Sequence, residues 1–167
     1  MDILNSKKMS PILGLSGFGG GAVSFAVAGG ATADPWHIDS RFTLHATGTS
    51  PHWIVGREQD HLTDADENSM ASVSNNNNPG AGYVWSAVGL GIGNGVLTVK
   101  TYGDGGNPCT IVAVHSGGTV SATQTGGTGT VSLGSIGTLI SLSTTRFEQG
   151  LMHAFYIDGT HIYDPNL

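Results

Sequence analysis

The sequence predicts an all-β protein, an antiparallel β-sandwich of jelly-roll type that is preceded by an extended, glycine-rich arm. Residues 82–163 form a series of short runs rich in β-branched residues, and glycine, asparagine, aspartate and proline separate these runs. Such runs between turn residues are typical of antiparallel sheets. The turn signals recur irregularly rather than with a strict period, which favours hairpins in a sandwich over a solenoid. We therefore divide the chain into an arm, residues 1–33, and an all-β domain, residues 34–167.

The closing stretch contains the clearest hairpin signal. Asp158 and Gly159 stand between two strand-like runs, and an Asp-Gly pair supplies the positive φ angles of a type I′ turn. The same reasoning predicts the other strands, with Gly-Asn-Gly at 93–95 and the glycines between residues 134 and 138 as breaks. The predicted strands are 42–46, 52–55, 83–92, 96–102, 109–115, 119–124, 130–133, 139–142, 152–157 and 160–163.

The composition indicates a surface of neutral polar groups. The chain has 27 glycines and only 11% charged residues, whereas roughly a quarter of the residues are charged in an ordinary soluble domain. A surface with so few charges favours a chain that packs against neighbours in an assembly. The short strands also lack the lysines and prolines that usually prevent pairing between exposed sheet edges.

Charge and cysteine content exclude several classes of function. The net charge is −6, and no basic cluster follows Lys7 and Lys8, so nucleic-acid binding is not expected. The single cysteine, Cys109, excludes an internal disulfide framework.

No run approaches the roughly 20 apolar residues of a membrane-spanning helix, so no membrane span is expected.

The arm is the candidate assembly element. Its glycine-rich core, residues 14–21, is too weakly hydrophobic for a signal peptide or a helix. The strand-like stretch 22–27 follows and can add to the sheet edge of a neighbouring subunit; a disordered tail is the alternative. The apolar residues expected to make these contacts are Leu15, Phe18, Val23, Phe25 and Val27.

A polar stretch, residues 57–78, contains the one metal-like pattern. Asp64, Asp66 and Asn68 have the spacing that begins a calcium loop, so Ca²⁺ is the one cofactor that the sequence leaves open, and no other is expected. The pattern then departs from that loop, because Ser69 stands where glycine is needed and Asn75 where a bidentate glutamate is needed. We therefore favour a solvated acidic loop as the interpretation of this stretch.

The aromatic residues offer a second candidate site. Sugar-binding modules stack aromatic rings on the sugar, and Trp53, Tyr83 and Trp85 could do so beside the acidic loop. No spacing singles these residues out, so we favour the interpretation that each ring belongs to the core.

No catalytic motif is present, and we expect no enzyme activity. A glycoside hydrolase needs two carboxylates about 5–10 Å apart across the substrate. Glu58, Asp66 and Glu67 all lie on one loop, with no reason to oppose one another.

Two segments resemble bacteriophage virion proteins, chiefly tail-fibre and minor structural proteins. They are LSGFGGGAVSF at 15–25 and YIDGTHIYDP at 156–165, the latter similar to the D-G-x-x-[LI]-x-D-[PG] endings of those proteins. The resemblance implies an all-β, non-enzymatic virion subunit, a tail fibre, adaptor or host-attachment component. Its expected partners are other virion proteins, further copies of itself, most simply in a trimer, and a host-surface glycan. The alternatives are a capsid decoration (cement) protein and a lectin-like carbohydrate-binding module.

Overall fold

The computed structural model describes residue 36 and residues 39–45, 51–74, 80–146 and 149–165. These residues form eleven antiparallel strands and two short 3₁₀ helices, Asp39–Arg41 and Gln59–Leu62, with no α-helix among them and no helix suited to crossing a membrane. The prediction of an all-β fold is confirmed: the strands form a curled antiparallel sheet of the sandwich or half-barrel type. The strands are β1 Phe42–His45, β2 His52–Trp53, β3 Ala71–Ser74, β4 Ala81–Ser86, β5 Gly93–Gly103, β6 Cys109–His115, β7 Gly118–Gln124, β8 Gly127–Arg146, β9 Gln149–Met152, β10 Ala154–Ile157 and β11 Thr160–Ile162.

Strand β8 is the centre of the sheet. It is 20 residues long, and its first half pairs with β5 while its second half lies between β4 and β6. β10 and β11 extend the sheet beyond β5, β1 lies beside β4, and β7 lies beside β6. A separate three-stranded sheet contains β2, β3 and β9.

Irregularities along β8 bend the strand. The register with β5 shifts between Leu97 and Thr98, and the register with β6 shifts between Val114 and His115. Gly134, opposite the first shift, has a φ of 77°, which glycine adopts without strain. Bulges of this kind increase the local bend and twist. As a result, the two ends of β8 approach each other, and Thr128 and Arg146 line the same pocket.

The glycine breaks predicted at 93–95 and at 134–138 were wrong. Residues 93–95 belong to β5, and residues 134–138 continue β8. Glycine near a strand interior can mark a bulge or a close approach rather than a turn, and Gly95 lies directly against Asp158. Sequence reasoning also missed β3, Ala71–Ser74, because these four residues lie within the polar stretch 57–78.

The Asp-Gly hairpin was predicted correctly. Asp158 and Gly159 have φ angles of 51° and 77°, as a type I′ turn requires. Phe155 pairs with Ile162, and both are buried in the core. Tyr156 pairs with His161 on the opposite face of this hairpin.

The core lies between the curled sheet and the three-stranded sheet. Trp85 and Phe155 pack with ring centroids 5.3 Å apart, and the Trp85 Nε1 donates to the Trp36 carbonyl at 2.7 Å. Strands β4 and β9 approach so closely that a Cβ on Gly150 would collide with Gly82. Gln149 of β9 and Met70, just before β3, lie beside Thr128 and Arg146, near the two ends of β8.

Candidate functional site

A pocket of about 210 Å³ lies where the two ends of β8 come together. Its wall contains Thr128 and Arg146 from β8, Tyr102 from β5 and Gln149 from β9. The remaining lining residues are Arg57, Met70, Leu151 and His153. We call this site the arginine pocket. A shallower depression of about 370 Å³, between the loop after β5 and the end of β8, shares Arg146 with it.

Arg146 is fixed in place by its neighbours. Its Nη2 donates to Asp104 Oδ2 at 2.8 Å, and its Nε donates to the Asn107 carbonyl at 2.9 Å. Its guanidinium lies 5.1 Å from the centroid of the Tyr102 ring, a cation–π distance. Asp104 also accepts from the N–H groups of Gly106 and Asn107. These bonds, chiefly that from Asn107, and the nearby Arg146 lower the pKa of Asp104, which therefore remains a carboxylate at neutral pH.

Arg57 differs from Arg146 because its side chain is not engaged. Its backbone is held on both sides, since Arg57 N donates to the Ile54 carbonyl and Ser72 N donates to the Arg57 carbonyl, each at 2.9 Å. Its guanidinium makes no hydrogen bond or ion pair with any residue that the structure describes. The pocket therefore holds a positioned cation that is available to a ligand.

His153 forms a buried, neutral part of the pocket wall. Its Nδ1 lies 2.9 Å from the Ser69 carbonyl oxygen and donates to it, which fixes the tautomer when the ring is neutral. Burial lowers the pKa of His153, and this effect exceeds the opposing effect of its hydrogen bonds. At neutral pH, His153 therefore adds no positive charge to the pocket.

A second polar cluster joins the acidic loop to β5 and to the hairpin of β10 and β11. The Tyr156 hydroxyl donates to Glu67 Oε2 at 2.9 Å, and burial together with this carboxylate raises the pKa of Tyr156 to about 12. Lys100 Nζ donates to the Glu67 carbonyl at 2.9 Å. His161 Nδ1 lies 3.7 Å from Glu67 Oε1, and its ring centroid is 5.4 Å from those of Tyr156 and Tyr163. These contacts hold the loop against the sheet.

The predicted calcium ligands bond mainly within their own loop. Asp66 N donates to Asp64 Oδ1 at 3.0 Å, and Asn68 N donates to Asp66 Oδ1 at 2.9 Å. The Ser69 hydroxyl and the His61 ring also contact the Asp64 carboxylate. Within the described ranges, no group of three or more His, Cys, Asp or Glu side chains is arranged to hold a metal ion. The carboxylates of Asp64 and Asp66 thus stabilise the turns of this loop.

The predicted aromatic sugar site requires a correction. Tyr83 and Trp85 are both 0% exposed, so neither ring can stack against a surface ligand. Trp53 is half-buried, with its ring centroid 5.1 Å from that of Tyr83 and 5.4 Å from that of Phe42. Tyr83 and Trp85 alternate toward the inner face of β4, which explains their burial.

The other predicted residues lie elsewhere. The proposed assembly residues Leu15, Phe18, Val23, Phe25 and Val27 fall outside the residues that the structure describes. Glu58 accepts from Gly56 N at 3.0 Å, and Glu67 accepts from Tyr156. No Asp or Glu is among the described residues that line the arginine pocket.

Sequence reasoning missed the arginine pocket. Its lining residues are spread from Arg57 to His153 and share no motif. The one available signal was that positively charged residues are rare in this chain. It has only six Lys and Arg residues, and two of them line this pocket.

Comparisons with protein-family models, with curated proteins and with solved structures gave no match to this chain. The fold and the pocket therefore define it as an all-β protein with a cationic surface pocket.

Proposed function

We propose that this protein is a non-enzymatic structural subunit that assembles through main-chain pairing at the open edge of β7. The observation behind this proposal is that one edge of β7 is not paired with any strand that the structure describes. Strand β7, Gly118–Gln124, is seven residues long and, among the described strands, pairs only with β6. It contains no charged residue and no proline. Such an edge presents unpaired N–H and C=O groups to another chain.

The side chains of β7 suit an added strand. Val120 and Ala122 are partly buried and pack against the core, so the apolar interior continues to this edge. Thr119, Ser121 and Thr123 are exposed on the other face. A strand that pairs with β7 would extend both faces, and its main-chain hydrogen bonds would supply the affinity.

The occupant that we propose is the stretch 22–27 of another copy. Val23, Phe25 and Val27 alternate with smaller residues, so in an extended strand they would share one face. This apolar face of the stretch 22–27 can extend the partly buried face of β7 that contains Val120 and Ala122. Neither β7 nor the stretch 22–27 contains a charged residue. Exchange of this segment between copies would produce a closed homo-oligomer, and the oligomer that we propose is a trimer.

We place this subunit in a bacteriophage virion, as a tail-fibre, adaptor or host-attachment component. The support is the pair of segments at 15–25 and 156–165, together with the low charge of the chain. A capsid decoration protein, which would use the same edge pairing, is the alternative.

Light scattering on purified full-length protein tests the assembly. Ser121→Lys places a charge on the open edge, and Phe25→Lys places one in the proposed donor strand; each should reduce the oligomer mass. Thr138→Lys is the matched control, because Thr138 is also exposed but has Gly93 and Ser116 as backbone neighbours. A monomeric wild-type protein, or an oligomer that all three variants retain, would refute assembly through β7.

A further inference from the structure

The charges of the arginine pocket sum to one uncompensated cation. Arg146 is paired with Asp104, which remains ionised, and buried His153 is neutral. Arg57 has no partner among the described residues. The Arg57 residue is partly buried. Its guanidinium has a rigid fork of N–H donors, which matches a planar anion with two oxygens. A carboxylate matches both the charge and the shape.

The other polar groups of the pocket are neutral and unengaged. The Gln149 amide, the Thr128 hydroxyl and the Tyr102 hydroxyl form no hydrogen bond with another described residue. They provide both donors and acceptors, which is what a ligand with several hydroxyl groups requires. Met70 and Leu151 supply apolar surface beside them. An anion on a hydroxylated ring would use all of these groups at once.

From this arrangement we infer that the arginine pocket binds an acidic sugar residue, with the ligand carboxylate on Arg57 and its hydroxyl groups on Gln149, Thr128 and Tyr102. The pocket volume of about 210 Å³ suits one sugar residue rather than a larger molecule. The shallower depression that shares Arg146 lies beside it and can receive the next residue of a polysaccharide chain.

Two other anions fit less well. A phosphate monoester carries a charge of about −1.5 to −2 at neutral pH and prefers several cations or converging backbone N–H groups. The pocket offers one unpaired cation. An acidic peptide side chain would satisfy Arg57 but would leave the neutral polar groups unused. This inference is independent of the assembly role, because none of the lining residues belongs to β7.

Titration of the full-length protein by ¹H–¹⁵N NMR tests the inference, with galacturonate and N-acetylneuraminate as probes. Galactose has a similar ring without the carboxylate, N-acetylglutamate has the carboxylate without the ring, and inorganic phosphate tests a general anion site. We expect saturable shifts at Arg57, Thr128 and Gln149 with at least one of the acidic sugars, and much weaker binding of the other three compounds.

Variants identify the carboxylate contact. Arg57→Gln should weaken binding of the acidic sugar about tenfold or more, because a charge-assisted bond is lost, while leaving galactose binding unchanged. Val88→Glu is the charge-matched control: Val88 is 61% exposed in the loop after β4 and does not line the pocket. It should bind like the wild type.

Three results would overturn the inference. The first is the absence of saturable shifts with both acidic sugars. The second is equal binding of an acidic sugar and phosphate, or of an acidic sugar and N-acetylglutamate, which would remove the role of the ring. The third is an equal loss of affinity in Arg57→Gln and Val88→Glu. This result would show that the net charge of the protein, rather than a contact with Arg57, determines the affinity.

Discussion

Arg146 donates a 2.8 Å hydrogen bond to Asp104, whereas Arg57, in the same pocket, has no such partner among the described residues. The two arginines therefore have different physical roles. The Arg146 side chain ties the end of β8 to the loop after β5, whereas the Arg57 side chain contributes little to the folded body.

This difference predicts unequal effects on stability. Arg146→Gln should lower the free energy of unfolding by about 1 kcal/mol, because the bond to the Asn107 carbonyl is lost. The ion pair should add little, because the Asp104 side chain is 40% exposed and water screens it. Arg57→Gln should change stability by less than about 0.5 kcal/mol. Urea unfolding measures both, and equal losses would show that Arg57 has a structural partner after all.

A buried polar junction predicts a second stability effect. The Leu151 carbonyl accepts from the hydroxyls of Thr101 at 2.6 Å and Thr144 at 3.2 Å, and Cys109 Sγ lies 3.2 Å from Thr144 Oγ1. Thr101→Val keeps the side-chain shape but removes the shorter bond. The expected loss is about 1–2 kcal/mol in the free energy of unfolding. Thr130→Val, at an exposed position on β8, is the control and should have almost no effect; similar values for the two variants would contradict the role of this junction.

The buried histidines predict lower stability in mild acid. Burial lowers the pKa of His153 and of His161, although Glu67 and Asp64 act in the opposite direction on His161. The unfolded chain therefore binds protons more readily than the folded protein does as pH falls below about 6.5. The stability present at higher pH is then lost progressively as pH falls from about 6.5 toward the lowered pKa values of the folded state.

Urea midpoints at about pH 7.5 and about pH 5.5 measure this effect. The wild-type midpoint should be lower at the acidic pH, and His153→Gln should reduce the difference between the two conditions. His52→Gln removes an exposed histidine and should leave the difference unchanged. A wild-type midpoint that does not depend on pH in this range would refute the prediction.

The hairpin of β10 and β11 predicts a fourth effect. Gly159 has a φ of 77°, and a Cβ there would meet no neighbouring atom, so Gly159→Ala tests backbone conformation alone. The expected loss is about 1–2 kcal/mol in the free energy of unfolding. Gly105 also has open space but no positive φ. Gly105→Ala should be neutral or slightly stabilising, and a comparable loss in both variants would argue against the type I′ turn.

Local patterns accounted for much of the sheet. The strands at 109–115 and 119–124 were predicted at or within one residue of their observed bounds, because β-branched residues and turn residues alternate clearly there. Strand β8 was divided in error, since a glycine that forms a bulge and a glycine that forms a turn look alike in sequence. The sequence left both a surface site and the core open for the aromatic residues, because nothing in it reports that Tyr83 and Trp85 face inward.

The sequence by itself determined the all-β class, the Asp-Gly hairpin and the neutral character of the strands, since these follow from local propensity and composition. Only the tertiary structure decided which face of β4 is buried, which strand edge is open and which polar residues meet. Arg57, Tyr102, Arg146 and His153 are brought together by the bend of β8 and by the docking of β9. Those features depend on contacts between residues that are far apart along the chain, and no local pattern records them.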